Sequence, residues 1–357
     1  MLMEQLLNTP AKWMTTSQDD RDIVLTSRIR LARNIDKTPF PGWATRQERA
    51  KIWEQATDAA RTLTAMKGAY CFELSNMEQQ NKQLLVERHL ISRELAARGD
   101  SSGVMISKNQ QSSIMFNEED HFRIQAIYPG LQLKRAWTGI TKIDSELESK
   151  IPYAYNSQLG YLTACPSNLG TGMRASAMLH LPGLIITEQM NKVMQAAHQL
   201  NMTIRGLYGE GTEATGNLVQ ISNQSTLGET EPTIIEQMNR FISDLCHQEW
   251  NARKQLLKGA PLTLKDRVGR AFGILTNASI LPTKEALGLI SFVRLGASLK
   301  MLDPGLLKEI NSLILELQPA HIQRNQSSQP LTSETRDILR ADIVRKYLGR
   351  FSLTIND

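Results

Sequence analysis

The apolar pattern of the chain changes once, near Ala252, and that change bounds the fold. Before it, short β-rich runs interrupt stretches of helical spacing; beyond it the β signal disappears. Thr45 with Glu48 three residues on forms a capping box. It opens a helix with Ile52, Trp53, Ala56, Ala59 and Ala60 available for one face. A second helix is expected over 79–88. From Val104 to Ile127 the pattern predicts strands, among them 113–116 and 122–127, with turn residues at 108–111. Residues 161–164 read as a strand, 166–172 as a loop, and Thr187 as the cap of a helix with Met190, Val193, Met194, Ala197 and Leu200 on one stripe. Strands are expected at 202–208 and 217–223, joined by a loop containing Gly209, Gly211 and Gly216 that should be mobile. A helix through Ile234, Met238, Phe241 and Leu245 follows, then helices broken at Pro282, Pro304 and Pro319–Pro330. Strands mixed with helices, then helices alone, imply an α+β domain over 1–252 and an all-α domain over 253–357.

The length of 357 residues accommodates both. No apolar run approaches the roughly 18 residues of a membrane span, and residues 1–20 lack the basic start and apolar stretch of a signal peptide. Cys71, Cys165 and Cys246 are too dispersed for a disulfide framework or a zinc cluster. A reducing, cytoplasmic setting with no membrane partner is expected. A net charge of +5 is too mild to argue direct nucleic-acid binding.

Chemistry concentrates where charge does. Glu118, Glu119 and Asp120 stand together between two expected strands, so one carboxylate should be aimed inward at a cation. If 23–30 is a strand, Arg28 and Arg30 project from one face. Arg123 follows the acidic cluster, Arg174 lies just beyond Gly170-Thr171-Gly172, and Arg205 precedes the glycine loop. Guanidinium forks match phosphate oxygens, and phosphoryl transfer depends on holding and neutralising the triphosphate. The chain has no Walker loop, His-Arg-Asp loop or Asp-Phe-Gly element, which excludes P-loop NTPases and ordinary Ser/Thr/Tyr kinases.

Four segments, in order, resemble the phosphagen (guanidino) kinase family: Ser-Arg-Ile-Arg-Leu-Ala-Arg-Asn at 27–34, the acidic cluster with Arg123, Cys-Pro-Ser-Asn-Leu-Gly-Thr-Gly at 165–172, and Arg-Gly-Leu-Tyr-Gly-Glu-Gly at 205–211. The resemblance implies a catalytic domain of mostly antiparallel sheet flanked by helices. It implies ATP with Mg²⁺, the metal carried by phosphate oxygens and water with no ligand from protein side chains. It assigns the guanidinium-orienting and base roles to Glu119 and Glu210. The phosphate clamp would be Arg28, Arg30, Arg123, Arg174 and Arg205, with His89 near the nucleotide. The nucleotide would be lined by Thr26, Ser27 and Ile29 around the first two arginines, by Ala175, Ser176, Ala177 and Met178 after Arg174, and by Gly206, Leu207, Tyr208 and Gly209 before Glu210. Cys165 would lie near the substrate guanidine, where arginines would favour a redox-sensitive thiolate; an inert buried thiol is the alternative.

A helical domain that follows the catalytic one is similar to the branch of the family that phosphorylates arginine side chains of proteins. Arg336, Asp337, Arg340 and Ala341 match that branch's Arg-Asp-x-x-Arg-Ala element, which the resemblance implies binds phosphoarginine and tunes activity. The same resemblance implies bacterial stress response and protein quality control. Its expected partners are unfolded proteins and a heat-shock repressor as substrates, a small activator, a downstream Clp protease, and assembly as a homodimer or larger homo-oligomer. Two other readings are a kinase for a free guanidino compound such as arginine or creatine, and a non-catalytic phosphoarginine-binding protein; the paired Glu119 and Glu210 speak against the second.

Overall fold

The computed structural model describes residues 2–9, 13, 23–206, 214–326 and 330–351, without the side chains of residues 325 and 326. The chain divides into two compact units. The first comprises residues 1–13, 26–177 and 222–240; the second comprises 14–25, 178–221 and 241–357.

Among the described residues, an eight-stranded sheet has the order β2-β3-β4-β5-β1-β8-β10-β9. The strands are β1 Val24–Arg33, β2 Tyr70–Glu73, β3 Gly103–Ile106, β4 Ser112–Phe116, β5 Phe122–Pro129, β8 Met173–His180, β9 Met202–Gly206 and β10 Leu218–Asn223. A separate hairpin pairs β6 Tyr155–Asn156 with β7 Gly160–Tyr161. The β2–β3, β3–β4, β4–β5 and β1–β5 pairs are antiparallel.

The β1–β5 register decides what each face of the sheet carries, because directly opposed residues share a face. Ile29, Leu31 and Arg33 lie opposite Ala126, Ile124 and Phe122; Arg28, Arg30 and Ala32 lie opposite Ile127, Gln125 and Arg123. The first set is buried with Leu133, Ala136, Ile140, Ile143 and Leu147 of α5 (Leu133–Glu148). Burial of each such side chain is worth about 1.5–3 kcal/mol. Arg33 belongs to this apolar face: its guanidinium pairs with Asp144 of α5 at 2.8 Å and lies 3.6 Å over the Tyr161 ring. The third arginine of the 27–34 segment is therefore structural. Only Arg28 and Arg30 share the opposite face with Arg123.

Several expected elements form where anticipated. Thr45 and Glu48 make a complete capping box on α2 (Arg46–Arg61), α3 spans Gln79–Glu87, and the long helix after β10 is α8, Glu231–Gly259. Others differ. Of the expected 161–164 strand only Tyr161 enters a ladder, as the end of β7 (Gly160–Tyr161). Thr187 ends helix α6 (Pro182–Ile186), its hydroxyl donating to the Gly183 carbonyl, and Gln189 precedes α7 (Met190–Gln199). Helices α1 (Leu2–Asn8), α4 (Arg93–Ala97) and α5 had no expectation attached. Segment 319–326, read as part of a break, forms α12, since proline fits the first turn of a helix.

In the second unit, α9 (Pro261–Asn277), α10 (Thr283–Ser298), α11 (Leu306–Glu316) and α13 (Ser333–Leu348) surround a core containing Leu264, Val268, Ile290, Val293, Leu313 and Val344. A buried polar network crosses it. Glu249 accepts from the Gly183 and Leu184 amides at 2.9 Å and from Arg253 Nε at 2.5 Å. Arg294 donates to His180 Nδ1 at 2.9 Å, while His180 Nε2 and Ser291 Oγ are 2.7 Å apart.

Three histidines are held neutral. Burial, then Arg28, takes His89 to about 4. Burial takes His121 to about 4 against the opposing Pro39 carbonyl bond. Burial, then Arg294 and Arg253, takes His180 well below the usual range. Between pH 6.5 and 4 the unfolded chain binds protons the folded one refuses, so stability is lost as pH falls through that window. Each histidine contributes up to about 1.4 kcal/mol per pH unit there, while Asp120 and Glu249, raised mainly by burial, act in the opposite sense. Urea titrations at pH 7.0 and 5.5 are expected to show a clearly lower midpoint at 5.5, and His121→Asn to reduce the difference.

Candidate active site

The site is built on the first unit, on the face of the sheet that carries the arginines. Arg28 Nε donates to Ser176 Oγ on β8 at 3.4 Å, so Ser176 shares that face. Arg174, two residues earlier, donates from Nη2 to Ser222 Oγ on β10 at 3.1 Å. Arg123, Arg30, Arg28 and Arg174 thus come from three neighbouring strands, β5, β1 and β8, onto one surface.

Burial and then mutual repulsion lower two of them, whereas Arg123, though burial opposes it, is raised by Glu118. Burial, then Arg123 and Arg174, lowers Arg28 to about 10. Burial, then Arg28, Arg123 and Arg174, carries Arg30 well below the usual guanidinium range, with Glu118 opposing. The Arg30 Nε is buried and has no hydrogen-bond partner. A desolvated donor costs about 1–3 kcal/mol when unpaired, and clustered cations add to that. Such an arrangement fits a polyanion bearing several negative oxygens, as a nucleoside triphosphate does. Gln125, opposite Arg30, donates to the His89 carbonyl at 2.6 Å and holds that residue in place.

The acidic cluster is a tight connection between β4 and β5. Asn117 takes a φ of 52°, and the Asn117 amide donates to the His121 carbonyl at 3.0 Å. The three carboxylates then separate by environment. Glu118 is buried and receives Arg123 Nη1 at 2.6 and 2.7 Å, plus a short bond from Ser92 Oγ. Burial opposes its ionisation, yet Arg123 and these bonds hold its carboxyl below the ordinary value. Asp120 accepts from Asn34 Nδ2 at 2.6 Å and from the Ala164 amide at 2.7 Å, fixing the segment that leads to Cys165. Glu119 alone is exposed. Partial burial raises its pKa first, Asp120 and Glu118 raise it further, and Arg123 and a hydrogen bond from Cys165 oppose. The inward carboxylate anticipated from the sequence is Glu118, and its cation is the protein's own Arg123; Glu119 stays open to a ligand.

Cys165 is half-buried, its Sγ 3.0 Å from Ser167 Oγ. The neighbouring glycines serve close packing: a Cβ on Gly172 would lie 2.6 Å from the Ala32 carbonyl oxygen and from Arg33 Nη1.

Other expected residues fall elsewhere. Ser27 and Ile29 face the α5 side, where Ser27 Oγ donates to the Gly130 carbonyl at 2.7 Å. Thr26 is an exception, buried on β1 on the face of Arg28 and Arg30; Ala175 and Ala177 are buried on β8, whose Met178 belongs to the second unit. Arg205 and Gly206 end β9 in the second unit, Arg205 exposed. Leu207, Tyr208, Gly209 and Glu210 lie outside the described residues. Residues the sequence reading did not single out include Gln125 and Ser222. Gln125 had a signal, its even offset from Arg123 on one strand; Ser222 had none.

In the second unit, Arg340 is almost fully buried. It donates to the Leu317 carbonyl at 2.9 Å and the Leu281 carbonyl at 2.8 Å, and pairs with Asp337. Arg336 donates to the Leu331 carbonyl at 2.6 Å, and Ala341 is buried in the helical core.

The geometry agrees with kinship. A family model described as ATP:guanido phosphotransferase, C-terminal catalytic domain, matches residues 51–252, and one described as the protein-arginine kinase McsB C-terminal domain matches 261–356. The protein-arginine kinase of Halothermothrix orenii is 42% identical across 98% of this chain and 100% of its own; that of Halalkalibacterium halodurans is 44% identical across 94% of each. Among solved structures, lombricine kinase superposes with a TM-score of 0.58 at 26% identity, covering 71% of both chains. The duplicated taurocyamine kinase of Schistosoma mansoni gives 0.60 at 24% identity, covering 76% of this chain and 40% of that one, and shows the fold alone. The chain belongs to the ATP:guanido phosphotransferase family and, within it, to the protein-arginine kinases.

Because Arg30 is a desolvated cation with an unpaired donor among other cations, Arg30→Met is expected to raise the stability of the ligand-free protein by about 1 kcal/mol. The same change should weaken binding of a fluorescent ATP analogue at least ten-fold. Differential scanning fluorimetry and titration check the two halves.

Proposed function

We propose that this chain transfers the γ-phosphoryl group of ATP to the guanidinium of arginine side chains in proteins. The observation that carries the reading is the convergence of Arg28, Arg30, Arg123 and Arg174 on one sheet face, with an ionisable, solvent-facing carboxylate at Glu119 joined to them through the Glu118–Arg123 pair. The guanidinium has a pKa above 12 and must lose a proton to become a nucleophile. Glu119 orients one guanidinium nitrogen and accepts its proton as the N–P bond forms and the bond from the γ-phosphorus to the β,γ-bridging oxygen breaks, releasing ADP. Burial and the two neighbouring acids make Glu119 a better base than an isolated glutamate. Arginine charges neutralise the transferring group, and Ser176 and Ser222 hold Arg28 and Arg174 in aim. Mg²⁺, carried in on the nucleotide, would neutralise phosphate charge alongside them.

The resemblance further supports Glu210 as a second acid, Arg205 and residues 206–209 as nucleotide contacts, and His89 beside the nucleotide. A division into a catalytic part, 1–252, and a regulatory helical part, 253–357, belongs to the same reading and is supported by family models that match 51–252 and 261–356. Cytoplasmic residence, a stress-response role, a heat-shock repressor among the substrates, an activator protein, a downstream Clp protease and self-assembly belong to the same proposal. They rest on the resemblance alone. The relatives' name favours a protein acceptor over a free guanidino compound.

The test uses the chain with Mg·ATP and an unfolded arginine-bearing polypeptide. Acid-labile phosphate on arginine is expected, and label confined to serine, threonine or tyrosine would overturn the reading. Glu119→Gln should lower kcat by a factor on the order of 10²–10⁴ with an unchanged melting temperature. In the parent enzyme kcat should fall with acidification as Glu119 takes up its proton at a pH above the ordinary glutamate range.

Arg336, Asp337 and Arg340 are the proposed phosphoarginine-binding element, which would have to draw on a guanidinium that also braces the helical core. Arg340→Ala leaves the Leu317 and Leu281 carbonyls and Asp337 without that donor. It is expected to cost about 3 kcal/mol, read as a loss of urea stability, besides weakening phosphoarginine binding in calorimetry.

A further inference from the structure

A short stretch of chain away from Glu119 lies a small apolar surface that phosphoryl transfer does not use. Tyr155 is 60% exposed, Leu159 42% and Leu227 49%, all in the first unit. Single exposed apolar residues are ordinary; three large ones in one place are less so. Two glycines gather them. Gly160, at φ 74°, approaches Gly170 so closely that a Cβ would lie 2.4 Å from the Gly170 carbonyl oxygen. Gly170, at φ 107°, approaches the next segment so closely that its Cβ would lie 2.8 Å from the Leu227 Cα. Leu159 and Leu227 therefore flank stacked backbones, and Tyr155 meets Tyr161 edge to face at 5.4 Å across the hairpin.

This surface is tied to the acceptor carboxylate by a short stretch of chain. From Tyr161 it passes Leu162, whose carbonyl accepts from Asn34, and Ala164, whose amide donates to Asp120. It ends at Cys165, hydrogen-bonded to Glu119. Four residues of extended chain reach at most about 14 Å. A polypeptide presenting its arginine to Glu119 would thus cross the hairpin with residues two to five positions away. The rim is acidic. Burial raises the Tyr161 phenol and Arg33 opposes, while Glu148, Asp144 and Glu231 each add to the rise through their charge. Arg33 takes up Asp144, leaving Glu148 and Glu231 for a basic partner.

We propose that Tyr155, Leu159 and Leu227 dock the apolar residues flanking the acceptor arginine of an unfolded polypeptide, with Glu148 and Glu231 attracting its further basic residues. The proposal rests on Glu119 as the acceptor site. Folded proteins bury their large apolar side chains and unfolded segments display them, so the surface selects arginines by the state of the chain around them.

The test compares two arginine peptides identical except at two to five positions from the arginine, apolar (Leu, Phe) in one and Gly/Ser in the other. The full chain with Mg·ATP is expected to show a KM about ten-fold lower for the apolar peptide, the effect of partly burying one leucine-sized side chain. The double substitution Leu159→Ser, Leu227→Ser should erase that difference while leaving the Gly/Ser peptide's kinetics, the KM for ATP and the melting temperature as they were. Equal KM values for both peptides in the parent enzyme, or a preference that survives the double substitution, would overturn the docking surface alone. Absence of phosphoarginine on either peptide would overturn the acceptor site with it. A concentration-dependent dimer that the substitutions dissolve with peptide preference intact would assign the surface to a second copy of the chain and reject the proposal.

Discussion

The pair between Glu118 and Arg123 makes the rest of the site possible. Four guanidiniums on one face of a sheet repel one another, and their partial burial limits the water that would screen them. Glu118 is the carboxylate that offsets this from within, bidentate on Arg123 and felt by Arg30. Ser92, the cap of α4, donates to the same carboxylate and locks it in place. The same crowding acts outward on the next residue: partial burial, then Asp120 and Glu118, hold protons on Glu119 to a higher pH. One turn of three acids thus yields a counter-ion, a brace for the Cys165 segment and a solvent-facing carboxylate, the proposed base. Environment, not residue type, separates their roles.

The arginine-bearing surface is costly to the fold. Arg30 leaves a donor unpaired, and burial, then the neighbouring cations, lower the pKa of Arg28 and Arg30. Stability is recovered on the opposite face, where Ile29, Leu31, Ile124 and Phe122 pack with α5 and Arg33 is matched to Asp144. The two faces of β1 show the division most simply. Residues two apart in sequence gather charge for function, and those between them bury apolar surface for the fold.

The helical unit uses buried charge differently. Arg253, Arg294 and Arg340 are each tied to carbonyls, His180, Glu249 or Asp337, and cross between helices instead of opening toward a ligand. Such networks contribute less net stability than a hydrophobic replacement would, but removing one partner is costly. An element that binds a regulator through Arg340 would therefore be coupled to the packing of α13 against its neighbours.

Much of this was legible in the residues. The parity of Arg28 and Arg30, the capping box at Thr45 and the switch to helices beyond Ala252 are local patterns, set by side-chain period and capping chemistry. Parity also places Arg33 on the other face, but that it pairs with Asp144, 111 positions away, no local pattern could give. The sequence could not say which of three adjacent acids would meet a cation, because that depends on β4 and β5 closing in one register and bringing Arg123 back over Glu118. It could not show that Thr187 ends a helix instead of starting one, nor that Gly160 and Gly170 press together two distant segments. By itself the sequence determined the capped helix after Thr45, the parity of the β1 arginines, the all-helical end of the chain and the family. Tertiary structure alone decided which charges are paired, which are stranded and which face solvent, since desolvation and Coulomb energy depend on distances between residues far apart in the chain.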